Sequence, residues 1–314
     1  MRLPLVLLLV TACVRGGNLP PPAIDHNREG VVLLEAGDLD GAEARFRLAL
    51  EYHPRFAEPR ANLGLVLLRR GDLDGAENEL RTAIALDPAF DEAWSGLGVV
   101  LEARGDRAAA AEAWEHALSI DPGLVAARRN LADVRIRDGH FAEARAQLVR
   151  LAQLERGEGL ARAQALLGYC ELRLGRPIAA REQAERVLID HPDHRVARVV
   201  RGALHAEAGR TQLAMVDLLA AVDDPLVGFD ARLRIATLHV AGGAHDEATE
   251  LVHELLREAP SAPAVRLLAA WHAAGLGRWD DAAAHARAAL AERDVEAART
   301  VLAIACEAGA RGCR

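Results

Sequence analysis

A glycine stands at Gly37, Gly71, Gly105, Gly139, Gly175, Gly209, Gly243 and Gly277, at intervals of 34 residues except for one of 36. Five residues after each comes an alanine: Ala42, Ala76, Ala110, Ala144, Ala180, Ala214, Ala248 and Ala282. Seven residues before each sits Gly30, Gly64, Gly98, Ala132, Gly168, Gly202, Ala236 or Ala270. A fixed period of this length marks units that bury their apolar sides against their neighbours instead of around one central core. The segment GDLDGAE occurs twice, at 37–43 and 71–77, a direct internal duplication.

Residues 57–90 show how one unit works. Leu63, Leu67 and Leu68 fall at helical spacing and give the first helix one apolar side. Gly64 among them leaves room for a second helix to approach, with Ala76 facing it. Gly71 ends the first helix, because a left-handed residue past a C-terminus is cheap only for glycine. Asp74 is placed to cap the second helix by accepting from its free backbone donors. Leu80, Ala83 and Leu86 continue the apolar stripe until Asp87-Pro88 stops it. The proline returns at Pro54, Pro122, Pro192 and Pro260 and is replaced by Arg156, Leu226 and Asp294. The two extra residues fall in LERGEG (154–159), which reads as a loop.

These residues resemble the tetratricopeptide repeat, a two-helix unit that stacks into a solenoid. The resemblance implies an all-α, right-handed α-solenoid of eight helix–turn–helix units, at 23–56, 57–90, 91–124, 125–158, 161–194, 195–228, 229–262 and 263–296. Residues 295–308 carry Val295, Ala298, Val301, Leu302 and Ala305 on one side and Glu296, Arg299 and Glu307 on the other. A helix with a polar outer side is what the last hydrophobic face of an array needs, so 297–314 reads as capping helix and tail.

The first residues differ in kind. Arg2 precedes an apolar run at 3–10 that is too short to span a bilayer, and Val10-Thr11-Ala12-Cys13 ends it. That ending resembles the bacterial lipobox. It implies that 1–12 is a lipoprotein signal peptide and that Cys13 becomes the lipidated first residue. Residues 13–22 then form the lipidated cysteine and a flexible linker, VRGGNLPPP. Val14 in place of aspartate implies an outer-membrane anchor facing the periplasm. An uncut anchor and a cytoplasmic chain are the alternatives.

Charge and residue types then narrow the function. The 314 residues carry a net charge of −8, and all 38 basic residues are arginine. Without basic clusters interleaved with aromatics, nothing supports nucleic-acid binding. His191 and His194, His239 and His245, and His253-Glu254 lack metal-ligand spacing. No serine among Ser95, Ser119 and Ser261 sits in a nucleophile elbow, and the repeated glycines are helix stops, not phosphate cradles. No catalytic residue, metal, cofactor or small-molecule substrate is expected. Cys170 falls where a packed thiol is expected. A turn after Gly309 could bring Cys306 and Cys313 together as a disulfide, whereas a straight helix would hold them too far apart.

The tetratricopeptide resemblance implies that first helices line a concave face that takes a protein or peptide partner. Units two to four present Glu58, Asn62, Leu65, Arg69, Glu92, Ser95, Arg129, Asn130, Asp133 and Arg137, a polar surface. Arg129, Asn130 and Arg162 faintly resemble the carboxylate clamp of chaperone-binding members. Units five to eight present Leu166, Tyr169, Leu172, Val196, Val199, Val200, Leu233, Thr237, Val240, Leu267, Leu268 and Trp271. This apolar stretch reads as a groove with Tyr169 and Trp271 as anchors. Tight winding would instead bury these side chains as core. The layout resembles the lipoprotein pilotins of type IV pili and other envelope scaffolds. A membrane-anchored assembly factor is the reading, with an enzyme regulator or a cytoplasmic adaptor as alternatives.

Overall fold

What a small residue leaves empty, a large one fills. A Cβ built on Gly98 would stand 2.4 Å from Nε1 of Trp114, on Gly30 2.5 Å from Cε1 of Phe46, and on Gly64 2.8 Å from Cγ of Leu80. In each case the large side chain lies on the following helix. Trp114 and Phe46 are fully buried, and the indole of Trp114 donates to the carbonyl of Ser95 at 3.1 Å. Ala76 meets Gly64 only through its carbonyl oxygen, at 3.2 Å, so Leu80 is the residue seated on the glycine.

The computed structural model describes residues 19–313, and among them lie seventeen helices and no strand. Contacts divide the chain into two compact units, one up to Leu160 and one from Ala161. The first contains α1 (Pro21–Glu35), α2 (Leu39–Tyr52), α3 (Ala57–Arg70), α4 (Leu73–Leu86), α5 (Asp91–Ala103), α6 (Arg107–Ile120), α7 (Val125–Arg137) and α8 (Phe141–Leu154). Next comes α9 (Gly157–Arg173), most of which belongs to the second unit. That unit continues with α10 (Pro177–Asp190), α11 (Arg195–Glu207), α12 (Thr211–Leu219), α13 (Gly228–Ala241) and α14 (His245–Glu258). It ends with α15 (Pro263–Gly275), α16 (Trp279–Glu292) and α17 (Glu296–Glu307). In each unit successive helices pack as hairpins and each hairpin packs on the next, the architecture of an α-solenoid closed by a final helix.

The helix ends correct three expectations. The caps of α2, α4 and α6 are Asp38, Asp72 and Asp106, whose carboxylates accept from the backbone N–H three residues on. Asp74 sits inside the first turn of α4 and pairs instead with Arg104. LERGEG is largely helix: α9 absorbs Gly157 onward and reaches 17 residues, leaving only Glu155 and Arg156 between helices. Pro21 and Pro22, read as linker, open α1, because a fixed proline φ and a missing N–H suit the first helical turn. The proposed signal peptide, Cys13 and residues 14–18 lie outside the described residues.

Turn geometry follows the repeated glycine. Gly71 has φ +82° and its N–H bonds to the carbonyl of Leu68 at 3.0 Å, closing α3 in the left-handed conformation. A second repeated device ties four of the loops down. Arg60, Trp94, Arg128 and Arg266 each donate to the carbonyl six residues back, on Pro54, Pro88, Pro122 and Pro260. Arginine ladders join neighbouring hairpins in the same register, Arg70 to Asp40 and Glu43, and Arg104 to Asp74 and Glu77. At the C-terminus α17 stops at Glu307, the chain turns through Gly309, and Cys306 and Cys313 are joined by a disulfide with Cα atoms 5.3 Å apart. Asp280 accepts from the backbone N–H of Arg311 at 2.7 Å and fastens the tail to the start of α16.

Filling the Gly98 seat tests the packing rule. Gly98→Ala should force Trp114 off its site and destabilise the protein by about 1–3 kcal/mol despite alanine's better helix propensity. Thermal unfolding measures it; an unchanged or raised melting temperature would contradict the account.

Candidate functional site

The side chains expected to line one continuous groove divide into buried and open sets. Leu166, Tyr169, Leu172 and Val199 are core, with 1%, 3%, 8% and 0% exposure, and Val196 and Val200 are buried beside them. The physical reason lies in a polar strap. Arg173 of α9 donates to the hydroxyl of Tyr169 at 3.0 Å and reaches Asp230 of α13 at 3.8 Å, and Arg234 holds Asp230 from α13 itself at 2.8 Å. The strap thus links α9 to α13, and Val199, Val200 and Ala203 of α11 are fully buried. Burial, then the charge of Asp230, push the Tyr169 hydroxyl up to about 12, so it stays protonated. Tyr169 is therefore a structural residue and not an exposed anchor.

Beyond the strap the second unit opens. A cavity of about 760 Å³ is lined by Leu233, Thr237 and Val240 of α13, Leu267, Leu268 and Trp271 of α15, and Ile304 of α17. Leu233, Thr237 and Trp271 thus come together as expected. His245 and Trp279, the first residues of α14 and α16, complete the wall. Sequence reasoning missed these two because it drew the groove from first helices alone. Ile304 was missed because α17 was treated only as a cap. No Asp, Glu or Arg lines this cavity. The Thr237 hydroxyl is engaged by the carbonyl of Leu233 at 2.7 Å. A surface of this composition suits apolar burial, and Trp271 and Trp279 are the largest side chains in it.

In the first unit the polar candidates are mostly engaged within the fold. Asn62 is 3% exposed and donates to Asn27 Oδ1 at 3.1 Å, while Asn27 donates to Glu58 at 3.2 Å. Arg69 donates to the carbonyl of Leu34 at 2.7 Å and so links α3 to α1. Arg129 is bonded to Glu155 at 2.6 Å, which neutralises the cation that a carboxylate clamp would offer. Asn130 and Asp133 are half-buried, and Arg162 is exposed in the second unit. Among the described residues no group of three or more His, Cys, Asp or Glu is arranged to hold a metal ion, and no helix is long and apolar enough to cross a membrane.

Titration separates the units. Burial raises Glu58, and burial, a hydrogen bond with Asp91 and the charge of Glu58 raise Glu92 from 4.5 to about 7. In the second unit burial lowers His194, His205, His272 and His285 below the ordinary 6.5. The folded first unit therefore binds protons more tightly than its unfolded chain and gains stability as pH falls through 7 towards 4.5. The folded second unit resists protonation and loses stability as pH falls through 6.5. Hydrogen exchange on the whole chain, corrected for intrinsic rates, should show α3–α5 more protected and α11 and α15 less protected at about pH 5.5 than at about pH 8. Protection moving in the same direction in both units would contradict this assignment.

Comparison with known proteins agrees with the architecture. Family profiles described as tetratricopeptide repeat match residues 33–99, 91–124, 125–150, 171–231 and 233–297. Among solved structures, the Cut9–Hcn1 hetero-tetramer of the APC/C is 15% identical over 85% of this chain and 52% of that chain, with a TM-score of 0.60. A tetratricopeptide repeat protein from Parabacteroides merdae is 16% identical over 80% of this chain and 98% of that one, with a TM-score of 0.58. PilF from Pseudomonas aeruginosa is 21% identical over 67% of this chain and 95% of that one, with a TM-score of 0.50. No curated protein matches the sequence significantly. At these identities the structures speak to fold alone, and the profiles decide the family: the chain belongs to the tetratricopeptide repeat proteins, whose stacked hairpins suit it to protein–protein interaction.

Proposed function

We propose that the protein is a scaffold or assembly factor that holds a partner protein through the apolar cavity of its second unit, between α13, α15 and α17. One observation carries this reading: a largely apolar cavity of about 760 Å³, with Trp271 and Trp279 in its wall, opens in the second unit. Aromatic anchors in water-excluding pockets dominate interface energies. The lining offers few unengaged hydrogen-bond groups, so a partner helix, which satisfies its own backbone, suits it better than an extended peptide. A partner of that kind, protein or peptide, would be held without cofactor or chemistry.

Anchoring belongs to the same proposal. Val10-Thr11-Ala12-Cys13 supports lipidation at Cys13 and a place in the bacterial cell envelope, on the outer membrane facing the periplasm. The pilotin-like layout of lipobox followed by repeats supports a role in pilus or secretin assembly. Regulation of an envelope enzyme would use the same cavity and would show as altered turnover of that enzyme.

Two measurements test the reading. A photo-crosslinking residue at Thr237 should capture a discrete partner in cells, and the same residue at Glu250, on the outer side of α14, should not. Equal adducts at both positions, or capture unaffected by Trp271→Ala, would remove the cavity from the account. For the anchor, fatty-acid label should enter the wild type and vanish in Cys13→Ser; label persisting on the variant would end the lipoprotein reading.

A further inference from the structure

His245 forms part of the cavity wall, and a second, buried histidine stands behind it. The ring centroid of His245, at the start of α14, lies 5.8 Å from that of His272 on α15. The His245 ring rests on Gly275: a Cβ there would stand 2.0 Å from its Cε1 and Nε2, so the seat exists only for glycine. His272 is 2% exposed, and its Nδ1, like that of His245, is buried without a hydrogen-bond partner.

Proton accounting fixes the tautomer of His272. The Thr249 hydroxyl donates to the carbonyl of His245 at 3.0 Å, and its oxygen then remains as an acceptor. The contact of that oxygen with Nε2 of His272, at 3.4 Å, makes Nε2 the protonated nitrogen and leaves Nδ1 a bare lone pair. A proton taken from water onto Nδ1 would create a buried imidazolium with no acceptor, a costly state.

The neighbouring charges oppose that proton. His245 and His253 from α14 and Arg278 beside α16 act against it, and Asp246 alone favours it. Several charged groups on the neighbouring helices are engaged with other partners. On α13, Arg234 is held by Asp230, and His239 sits in the last turn. On α15, Arg266 is held by the carbonyl of Pro260 and by His285 of α16. Asp280 of α16 is held by Arg311, and Asp281 lies 3.9 Å from Arg278. On α17, Arg299 is paired with Asp294, while Glu296 and Glu307 are exposed.

We infer that the His245–His272 pair makes the cavity pH-responsive: its occupant is held when both rings are neutral and released on acidification. This rests on the cavity being the partner site. Of the two rings His245 is the half-buried one and stands at a helix start, so a charge on it has a way out to water. The imidazolium then leaves its seat on Gly275 for water and Asp246, and the wall between α14 and α15 opens.

The test uses the whole chain and a neutral apolar fluorophore, N-phenyl-1-naphthylamine, whose own charge does not change over the range. Wild-type affinity should fall about tenfold between about pH 7.5 and pH 5.5, with helicity retained. His245→Phe, which keeps a ring without a proton, should lose less than about twofold over the same range. Gly275→Ala, which denies His245 its seat, should bind as weakly at neutral pH as the wild type does in acid. Trp271→Ala should bind weakly at both. A wild type indifferent to pH, or a His245→Phe variant as sensitive as wild type, overturns the switch while leaving the cavity intact. Unchanged binding by Trp271→Ala overturns the cavity reading and the switch with it.

Discussion

Close approach of two helices at a missing side chain is the constraint on which this fold depends. Gly98 admits Trp114, Gly30 admits Phe46, and Gly202 admits Leu218, whose Cγ would lie 3.0 Å from a Cβ there. Because the small residue and the large one sit on consecutive helices, the contact is local, and it recurs at Gly64 with Leu80. The chain can therefore build its core with few aromatic residues: only 4% are Phe, Trp or Tyr. Each hairpin buries its own seam, and leucines and alanines such as Leu97, Ala113 and Leu131 join neighbours into a continuous core.

The second unit is closed at one place and open at another. In the second unit the Tyr169–Arg173–Asp230–Arg234 strap links α9 to α13, and Val199 and Val200 of α11 are buried. Further along the same unit Leu233, Trp271 and Ile304 stand around open space. The same apolar residue types therefore serve as core on one side of Asp230 and as a cavity on the other.

Much of this was legible in the sequence. The period gave the hairpins, and the glycine with positive φ gave each turn, because both follow from local geometry that one residue type satisfies. Caps were misplaced by two residues at Asp74, since Asp72 and Asp74 are chemically alike and only backbone geometry chooses between them. The site was half legible. Leu233, Thr237 and Trp271 followed from position within the repeat. Burial of Tyr169 did not, because it depends on an ion pair between residues 57 positions apart, Arg173 and Asp230. The loop-to-helix donors at Arg60, Trp94, Arg128 and Arg266 carry a visible signal, a donor six residues after each proline, that periodicity alone could have found.

Hydroxyl-radical footprinting of the intact protein tests most directly whether the inner wall is shut at α9–α11 and open at α13–α17. Trp271 and Trp279 should be oxidised readily in the folded chain while Trp114 and Tyr169 stay protected. Tyr169 oxidised as fast as Trp271, or Trp271 as protected as Trp114, would contradict it.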